Sequence, residues 1–559
     1  MSHNFFLTVQ HIQKTSRECF WDYKTSSGYP LDVFWTYVLS GMIRARILYI
    51  VYFDAPIMDK KRSEIQSYYK DKTIFVTGAS GFMGKVLLEK LLYCCSEIDK
   101  IYILIRSKKG HSIDTRLSNI FNLPLFQRIK MEKPYVLQKV VPLNGDITSD
   151  NLGFTEEQRK RLINEVHVVF HCAASTRFNA KLKDAIEMNT TSTKKVLDLA
   201  KQMKQLECFL HLSTTFCHVD QKELAERMYN SPHDPHNVMI LVQWLNEESI
   251  DLLTPNLIHP HPNTYTYSKH LSETLVVNEY PNLSCCIVRP SIVLPAKEEP
   301  LPGWVDNLNG PIGLLVGAGK GVIRSMHCNS SYHIEYIPVD IAINNLIVIA
   351  YRVGTKQEKS KSIPVFNVTQ GKITEIKFSE ILKMGQHVVH EYPFEGQVWY
   401  PDGDIRSSKF VHNLFVFFFH IIPAYFIDFL MLIFRQKRFM VRLQKRISHG
   451  LELLQHFTTK EWVFHNHKIC TMFDELLPED KKMFRLYVEA NFDKEEYLKT
   501  IVLGTRQYCL KEDLSSLPRA RRHQNMSTAC WFPFWVKELN PFYPGWNLCA
   551  QFEREGVMG

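Results

Sequence analysis

The stretch TIFVTGASGFMGKVLLEK, residues 73–90, constrains the fold of this 559-residue chain more than any other. Thr73, Ile74, Phe75 and Val76 form a compact, β-prone apolar run of the kind that becomes a parallel strand buried on both faces. From Gly84 onward Val86, Leu87, Leu88, Leu91 and Leu92 fall at helical spacing. The chain therefore passes from strand to helix across Gly78, Ala79, Ser80, Gly81, Phe82, Met83 and Gly84. In such a turn Gly78 allows a backbone conformation that a side chain would block, Gly81 lets the main chain approach a pyrophosphate, and Gly84 lets the helix lie close on the strand. The free N–H groups of the helix N-terminus then face the phosphates. A glycine triplet also serves as an ordinary tight turn, so the dinucleotide reading depends on the residues downstream.

The glycines are three apart and preceded by Thr77, a pattern that resembles the extended short-chain dehydrogenase/reductases. Residues 101–105 (IYILI) read as a second buried strand, followed at once by Arg106, Ser107, Lys108, Lys109 and Gly110. At this point of the fold an acid selects NAD and a base accommodates the extra phosphate of NADP, so Arg106 and Lys109 favour NADPH. Residues 140–143 give a third strand, ending in Gly145, Asp146 and Ile147, where extended reductases place an acid near the adenine. Residues 166–171 (VHVVFH) give a fourth, followed by Cys172, Ala173, Ala174 and Ser175, small enough to leave room for the cofactor ribose. Residues 210–216 (LHLSTTF) read as a fifth, with hydroxyls at Ser213, Thr214 and Thr215, and residues 286–293 (CIVRPSIV) as a sixth, carrying Pro290, Ser291 and Ile292 past the nicotinamide end. Strands alternating with helices predict an α/β fold built on a doubly wound parallel sheet of Rossmann type.

The densest chemistry lies in Asn263, Thr264, Tyr265, Thr266, Tyr267, Ser268 and Lys269, which open a helix. Tyr265 and Lys269 are four apart and share a helical face. A phenol near pKa 10 is a poor acid or base at neutral pH, and a neighbouring ammonium is expected to lower that value. Lys269 can also hold the cofactor ribose. A hydroxyl from the fifth strand, Thr214 first and Ser213 second, would bond the substrate oxygen beside Tyr265. Tyr267 competes with Tyr265, but no lysine lies four residues after it.

TGASGFMGKVLLEKLL, LIRSKKG, NTYTYSK, VRPSIV, PGWVDNLNGP and YIPVD, in that order, resemble a fatty acyl-CoA reductase. Trp399, Tyr400, Pro401, His420, Pro423, Ala424, Tyr425, Asp428, Phe457, Trp462 and Phe464 continue the likeness at spacings similar to that family's C-terminal domain. Arg435, Gln436, Lys437 and Arg438 stand where the family often has a glycine and a proline. The resemblance implies an N-terminal extension over 1–68, an NADP-binding reductase domain over 69–400, a mainly helical second domain over 401–515 and a tail over 516–559. It also implies reduction of a long-chain fatty acyl-CoA to the primary alcohol with two NADPH, through a bound aldehyde and with release of coenzyme A. An extended-class sugar-nucleotide or sterol dehydrogenase would share the first half but gives no reason for the second. A catalytically silent NADP-binding membrane scaffold is opposed by the intact Tyr265 and Lys269.

The net charge of +9 suits anionic partners, among them coenzyme A and an acidic membrane surface. Residues 33–53 are aromatic-rich but interrupted by Arg44 and Arg46, which fits a surface-lying or packed helix better than a span. Residues 414–434 are long enough to cross a bilayer, yet contain His420, Pro423 and Asp428 and are followed by Arg435, Lys437, Arg438, Arg442, Lys445 and Arg446. The expectation is an intracellular membrane, endoplasmic reticulum first and peroxisome second, with the catalytic domain facing the cytosol. The cluster Trp531, Phe532, Phe534 and Trp535 is too short to span. The 13 cysteines show no metal-ligand spacing, and His259, His261, His465 and His467 have no matching donor set, so no metal is expected. The basic residues are not interleaved with aromatics in a nucleic-acid module, so no nucleic-acid partner is expected.

Overall fold

The structure, a computed structural model, describes residues 63–529 apart from 108, 109, 111 and 357–359. Lys109, residues 33–53 and the cluster Trp531, Phe532, Phe534 and Trp535 lie outside the described residues.

Seven parallel strands form the central sheet: β1 (Thr73–Thr77), β2 (Lys100–Ile105), β3 (Val140–Asn144), β4 (Val166–His171), β5 (Cys208–Leu212), β6 (Cys285–Pro290) and β7 (Val365–Val368). Their order across the sheet is β3-β2-β1-β4-β5-β6-β7. The winding reverses between β1 and β4, which opens a crevice at the C-terminal ends of these two strands. Alternate residues serve opposite faces. Ile74, Val76, Val168, Phe170, Leu210 and Val288 pack one core, with Leu87, Leu88 and Leu91 of α1 (Phe82–Cys94). Phe75, Tyr102, Val169, Phe209 and Ile287 pack the other, with Tyr267, Leu271 and Leu275 of α2 (Thr264–Glu279). Helix α3 (Val339–Thr355) completes the first core through Ile343, Leu346, Ile347 and Ala350.

Two strand expectations are corrected. β5 stops at Leu212, so Ser213 and Thr214 lie beyond it and Thr215–Cys217 is a 3-10 turn. The Thr214 hydroxyl accepts the Phe216 N–H at 3.2 Å, closing a local turn where the ladder would have continued. β6 stops at Pro290, which has no N–H to donate, and Ile292–Leu294 instead pairs with Tyr336–Pro338 in a separate ribbon. The seventh strand, β7, is not marked by the sequence pattern.

Beyond the sheet the chain is helical: α4 (Lys409–Val416), a π-helical turn (Phe417–Ile421), α5 (Ile422–Ile433), α6 (Met440–Thr458) and α7 (Lys494–Gly504). These elements are fastened to the sheet domain. Glu223–Leu224 pairs with Val463–Phe464, and Ser325–His327 with Asp404–Arg406. At Gly303 and Gly504 two backbones touch, and a Cβ on Gly504 would stand 2.0 Å from the Gly303 carbonyl oxygen.

Candidate active site

The crevice begins at the glycine turn. Gly78 has φ +76°, and an added Cβ would stand 2.7 Å from the Ala173 nitrogen, so only glycine lets the turn touch the exit of β4. A Cβ on Gly84 would stand 2.2 Å from the Gly78 carbonyl oxygen, which is how closely α1 lies on the turn. Gly81 is exposed and caps α1, and offers no side-chain hydrogen bond to the first helical turn. Ser80 is half-buried beside it. Phe82 stacks on Trp304 with centroids 5.5 Å apart, and Met83 packs against the core. The Thr77 hydroxyl meets His171 Nδ1 at 2.8 Å and accepts the Ala173 N–H at 3.3 Å, so it ties β1 to β4.

At the end of β2, exposed Arg106 places a guanidinium nitrogen 3.5 Å from the Asp146 carboxylate at the end of β3. Partial burial raises the Asp146 carboxyl, but hydrogen bonds from the Thr148 N–H and hydroxyl, with Arg106 adding, hold it below the usual carboxylate range. Ile147 is buried behind it. Sequence reasoning missed Arg116, whose guanidinium donates to the Arg106 carbonyl, so two arginines meet at this strand end.

The chain after β4, through Ala173, Ala174 and Ser175, is held by another residue the motifs did not reveal. Buried Asn189 accepts the Ser175 N–H at 2.7 Å and donates to the Ser175 carbonyl at 3.1 Å and to Ser268 Oγ at 2.9 Å. It thereby joins the β4 exit to α2. Asn189 sits in a π-helical turn, Ile186–Thr191, an irregularity that local sequence does not signal.

Helix α2 begins at an Asn263 cap, whose side chain accepts the Thr266 N–H. Tyr265 is half-buried, its ring stacked on Phe178 at 5.7 Å. The Thr214 hydroxyl accepts the Phe216 N–H and lies near enough to the Tyr265 phenol to favour its ionised form, whereas Ser213 Oγ donates to Cys217 Sγ at 3.7 Å. Tyr267 points elsewhere: it is fully buried and bonds His233 Nδ1 at 3.0 Å. Lys269 is buried, and its ammonium donates to the Leu212 carbonyl at 2.6 Å, at the end of β5. Burial brings its pKa down to about 8. The expected lowering of the Tyr265 pKa is not found. Burial and the nearby Cys217 push the phenol above its ordinary value, and the Thr214 hydroxyl only partly offsets them.

At the end of β6, Pro290 is buried, Ile292 half-buried, and Ser291 Oγ is buried without a hydrogen-bond partner among the described residues. Beneath α2, Glu273 takes both forks of Arg289 at 2.8 and 2.6 Å, along with His218 Nε2 at 2.9 Å and Cys217 Sγ at 3.2 Å. Cys217, His218 and Glu273 could together face a metal ion, but the Arg289 cation already neutralises the carboxylate. Aromatic side chains wall the Tyr265 side. Phe178 meets Phe457 of α6 at 5.4 Å, and Phe216 meets Phe457, Trp462 and Phe464 at 5.5, 5.9 and 5.2 Å.

A glycine turn with no room for a Cβ at Gly78 or Gly84, a helix N-terminus without a side-chain cap and a buried Ser291 hydroxyl without a partner among the described residues fit a nicotinamide dinucleotide. Fold and site define an oxidoreductase of the short-chain dehydrogenase/reductase class. Family models described as "Male sterility protein" match residues 76–346 and 419–512. The chain is 35% identical over 464 residues to fatty acyl-CoA reductase 1 of Gallus gallus, covering 82% of this chain and 89% of that protein. It is 36% identical over 464 residues to fatty acyl-CoA reductase 2 of Mus musculus, with the same coverage. The chain belongs to the fatty acyl-CoA reductase family. Among solved structures, the reductase domain of a nonribosomal peptide synthetase from Mycobacterium tuberculosis shares the fold, with TM-score 0.51, 13% identity and coverage of 79% of this chain and 95% of that one. The terminal R domain of the myxalamid biosynthetic pathway is similar at TM-score 0.50 and 16% identity, covering 78% and 91%.

Proposed function

We propose that the chain reduces long-chain fatty acyl-CoA to the primary alcohol, using two NADPH and releasing coenzyme A, with the intermediate aldehyde retained in the site. The observation that carries this reading is Tyr265 stacked on the aromatic wall of Phe178 and Phe457, with Lys269 one helical turn on and its ammonium bonded to the Leu212 carbonyl at the end of β5. When bound, NADPH supplies hydride, first to the thioester carbonyl and then to the aldehyde. The residues do the rest. Gly78, Gly81 and Gly84 would receive the pyrophosphate on backbone N–H groups, and Arg106 and Arg116 would meet the 2′-phosphate. Lys269, with Ala173, Ala174 and Ser175, would hold the nicotinamide ribose, and Pro290, Ser291 and Ile292 would receive the nicotinamide end.

Tyr265, kept protonated by burial, donates to the oxygen that gains negative charge as the carbonyl is reduced, with the Thr214 hydroxyl near the phenol. Collapse of that centre expels the thiolate of coenzyme A. Phe178, Phe216, Phe457 and Trp462 keep water from the aldehyde until the second reduction. The protein works on an intracellular membrane, with these residues on the cytosolic side.

The full-length protein in detergent micelles, given palmitoyl-CoA, is expected to yield 1-hexadecanol and to oxidise two NADPH for each coenzyme A released. Aldehyde as the final product, or turnover only with a sugar nucleotide or sterol, would overturn the reading. Arg106→Ala is expected to weaken NADPH far more than NADH, and equal loss would remove Arg106 from phosphate recognition.

A further inference from the structure

Residues 409–433 form one continuous helical run, α4 through α5, 25 residues long with only 22% of its most apolar window buried. At ~1.5 Å per residue it could cross a bilayer core of about 30 Å. Its side chains are nevertheless sorted by face from His420 to Met431, and α4 before them buries none. His420, Ala424, Ile427 and Met431 are buried against the body of the protein, at 1%, 2%, 7% and 1% exposure. Phe418, Tyr425, Phe429 and Leu432 stand out at 55%, 59%, 57% and 57%.

The two polar residues that complicate a span belong to the inner face. His420 Nε2 accepts the Arg324 N–H at 2.9 Å. Asp428 accepts the N–H groups of Phe439, Met440 and Val441 at 3.0, 2.9 and 3.1 Å, capping α6. Alongside runs the Arg324–Asp402 ion pair, whose carboxylate is 52% exposed. A bilayer surrounding this helix would have to take in that ion pair and the protein carrying it.

Charge specifies the partner. Arg435 turns the chain out of α5 with φ +54°, and Lys437 and Arg438 follow, all exposed. Helix α6 buries Met440, Leu443 and Ile447 and exposes Arg442, Lys445 and Arg446. No acid occurs between Asp428 and Glu452, so six cations stand beside the apolar ridge without a carboxylate in the segment.

We propose that the ridge formed by α4 and α5 lies in the plane of one anionic membrane leaflet, its aromatic face among the acyl chains and the six cations at the headgroups, and does not cross. The proposal rests on the membrane part of the functional reading and is independent of its chemistry. It explains how the phenyl rings are covered without removing Arg324 and Asp402 from water.

The test uses the unmodified full-length protein on vesicles containing phosphatidylserine and a phospholipid with a diazirine high on its acyl chain, followed by peptide mapping. Adducts are expected on Phe418, Tyr425, Phe429 and Leu432 and not on Ala424, Ile427 or Met431. Labelling all round, strongest mid-helix with a diazirine at the chain terminus, would mean a span and overturn the proposal. Protein cross-links without lipid adducts would mean that another protein surface covers the ridge, and would overturn it as well. Binding is expected to fall about tenfold in high salt or when phosphatidylserine is replaced by phosphatidylcholine. Equal binding would remove the cations from the account. Replacing Phe418, Tyr425 and Phe429 together by Asp should abolish vesicle binding while leaving turnover in detergent micelles unchanged. Loss of turnover in the unmodified protein would count against the chemistry and not against the ridge.

Discussion

Lys269 is a residue whose chemistry burial changes within the working pH range. Its pKa near 8 in the buried site means that the ammonium is present below that pH and lost above it. If the charged form meets the cofactor, kcat/KM for NADPH falls as pH rises through about 8, and Lys269→Arg, charged at any working pH, removes that limb. A flat profile through pH 9 in the unmodified protein would separate Lys269 from the reaction. Tyr265→Phe removes only the phenolic hydrogen. Turnover should drop on the order of a hundredfold to ten-thousandfold, with NADPH binding retained by fluorescence titration. The family resemblance put Thr214 ahead of Ser213; in the structure the Thr214 hydroxyl accepts the Phe216 N–H and Ser213 Oγ donates to Cys217 Sγ. The upward shift of Tyr265 was not legible, because it arises from burial by Phe178 and from Cys217, partners distant in sequence or placed by a turn that the β pattern concealed. Asn189 escaped for a related reason: its partners Ser175 and Ser268 are brought together only by tertiary packing.

At the scale of the element, the βα turn is the most demanding unit. Gly84 is buried against the Gly78 carbonyl, so Gly84→Ala must move helix from strand and should cost on the order of 1–3 kcal/mol. The expected result is a lower melting temperature together with weaker dinucleotide binding. Loss of stability alone would mean that the turn does not contact the ligand. The inner strands were readable because burial on both faces demands uninterrupted apolar runs, as in IYILI and VHVVFH. Strand ends were less readable. The halt at Leu212 depends on a side-chain turn, and the divergence after Pro290 depends on a neighbour contributed by residues 336–338. β7, only four residues long and carrying buried Asn367, lacks the pattern that marks its neighbours. Asn367 is accommodated because its amide bonds the Leu224 and His465 carbonyls, which the sequence does not place nearby.

On the scale of the whole molecule, the second half of the chain is built into the first. Gly504 leaves no room for a side chain against Gly303, and Lys320 and Arg506 meet at Glu512 from opposite halves. Gly504→Val should therefore lower the melting temperature of the entire protein in a single transition. A separate early transition confined to the C-terminal helices would show that the halves unfold independently.

The contact between Phe178 and Phe457 has a further consequence. The wall beside the Tyr265 phenol is assembled from the sheet domain and from α6. Hybrids that exchange their C-terminal portions between relatives should exchange acyl-length preference with them, although every residue touching the nicotinamide stays the same. Selectivity would then be inherited from the part of the gene that encodes none of the reaction chemistry.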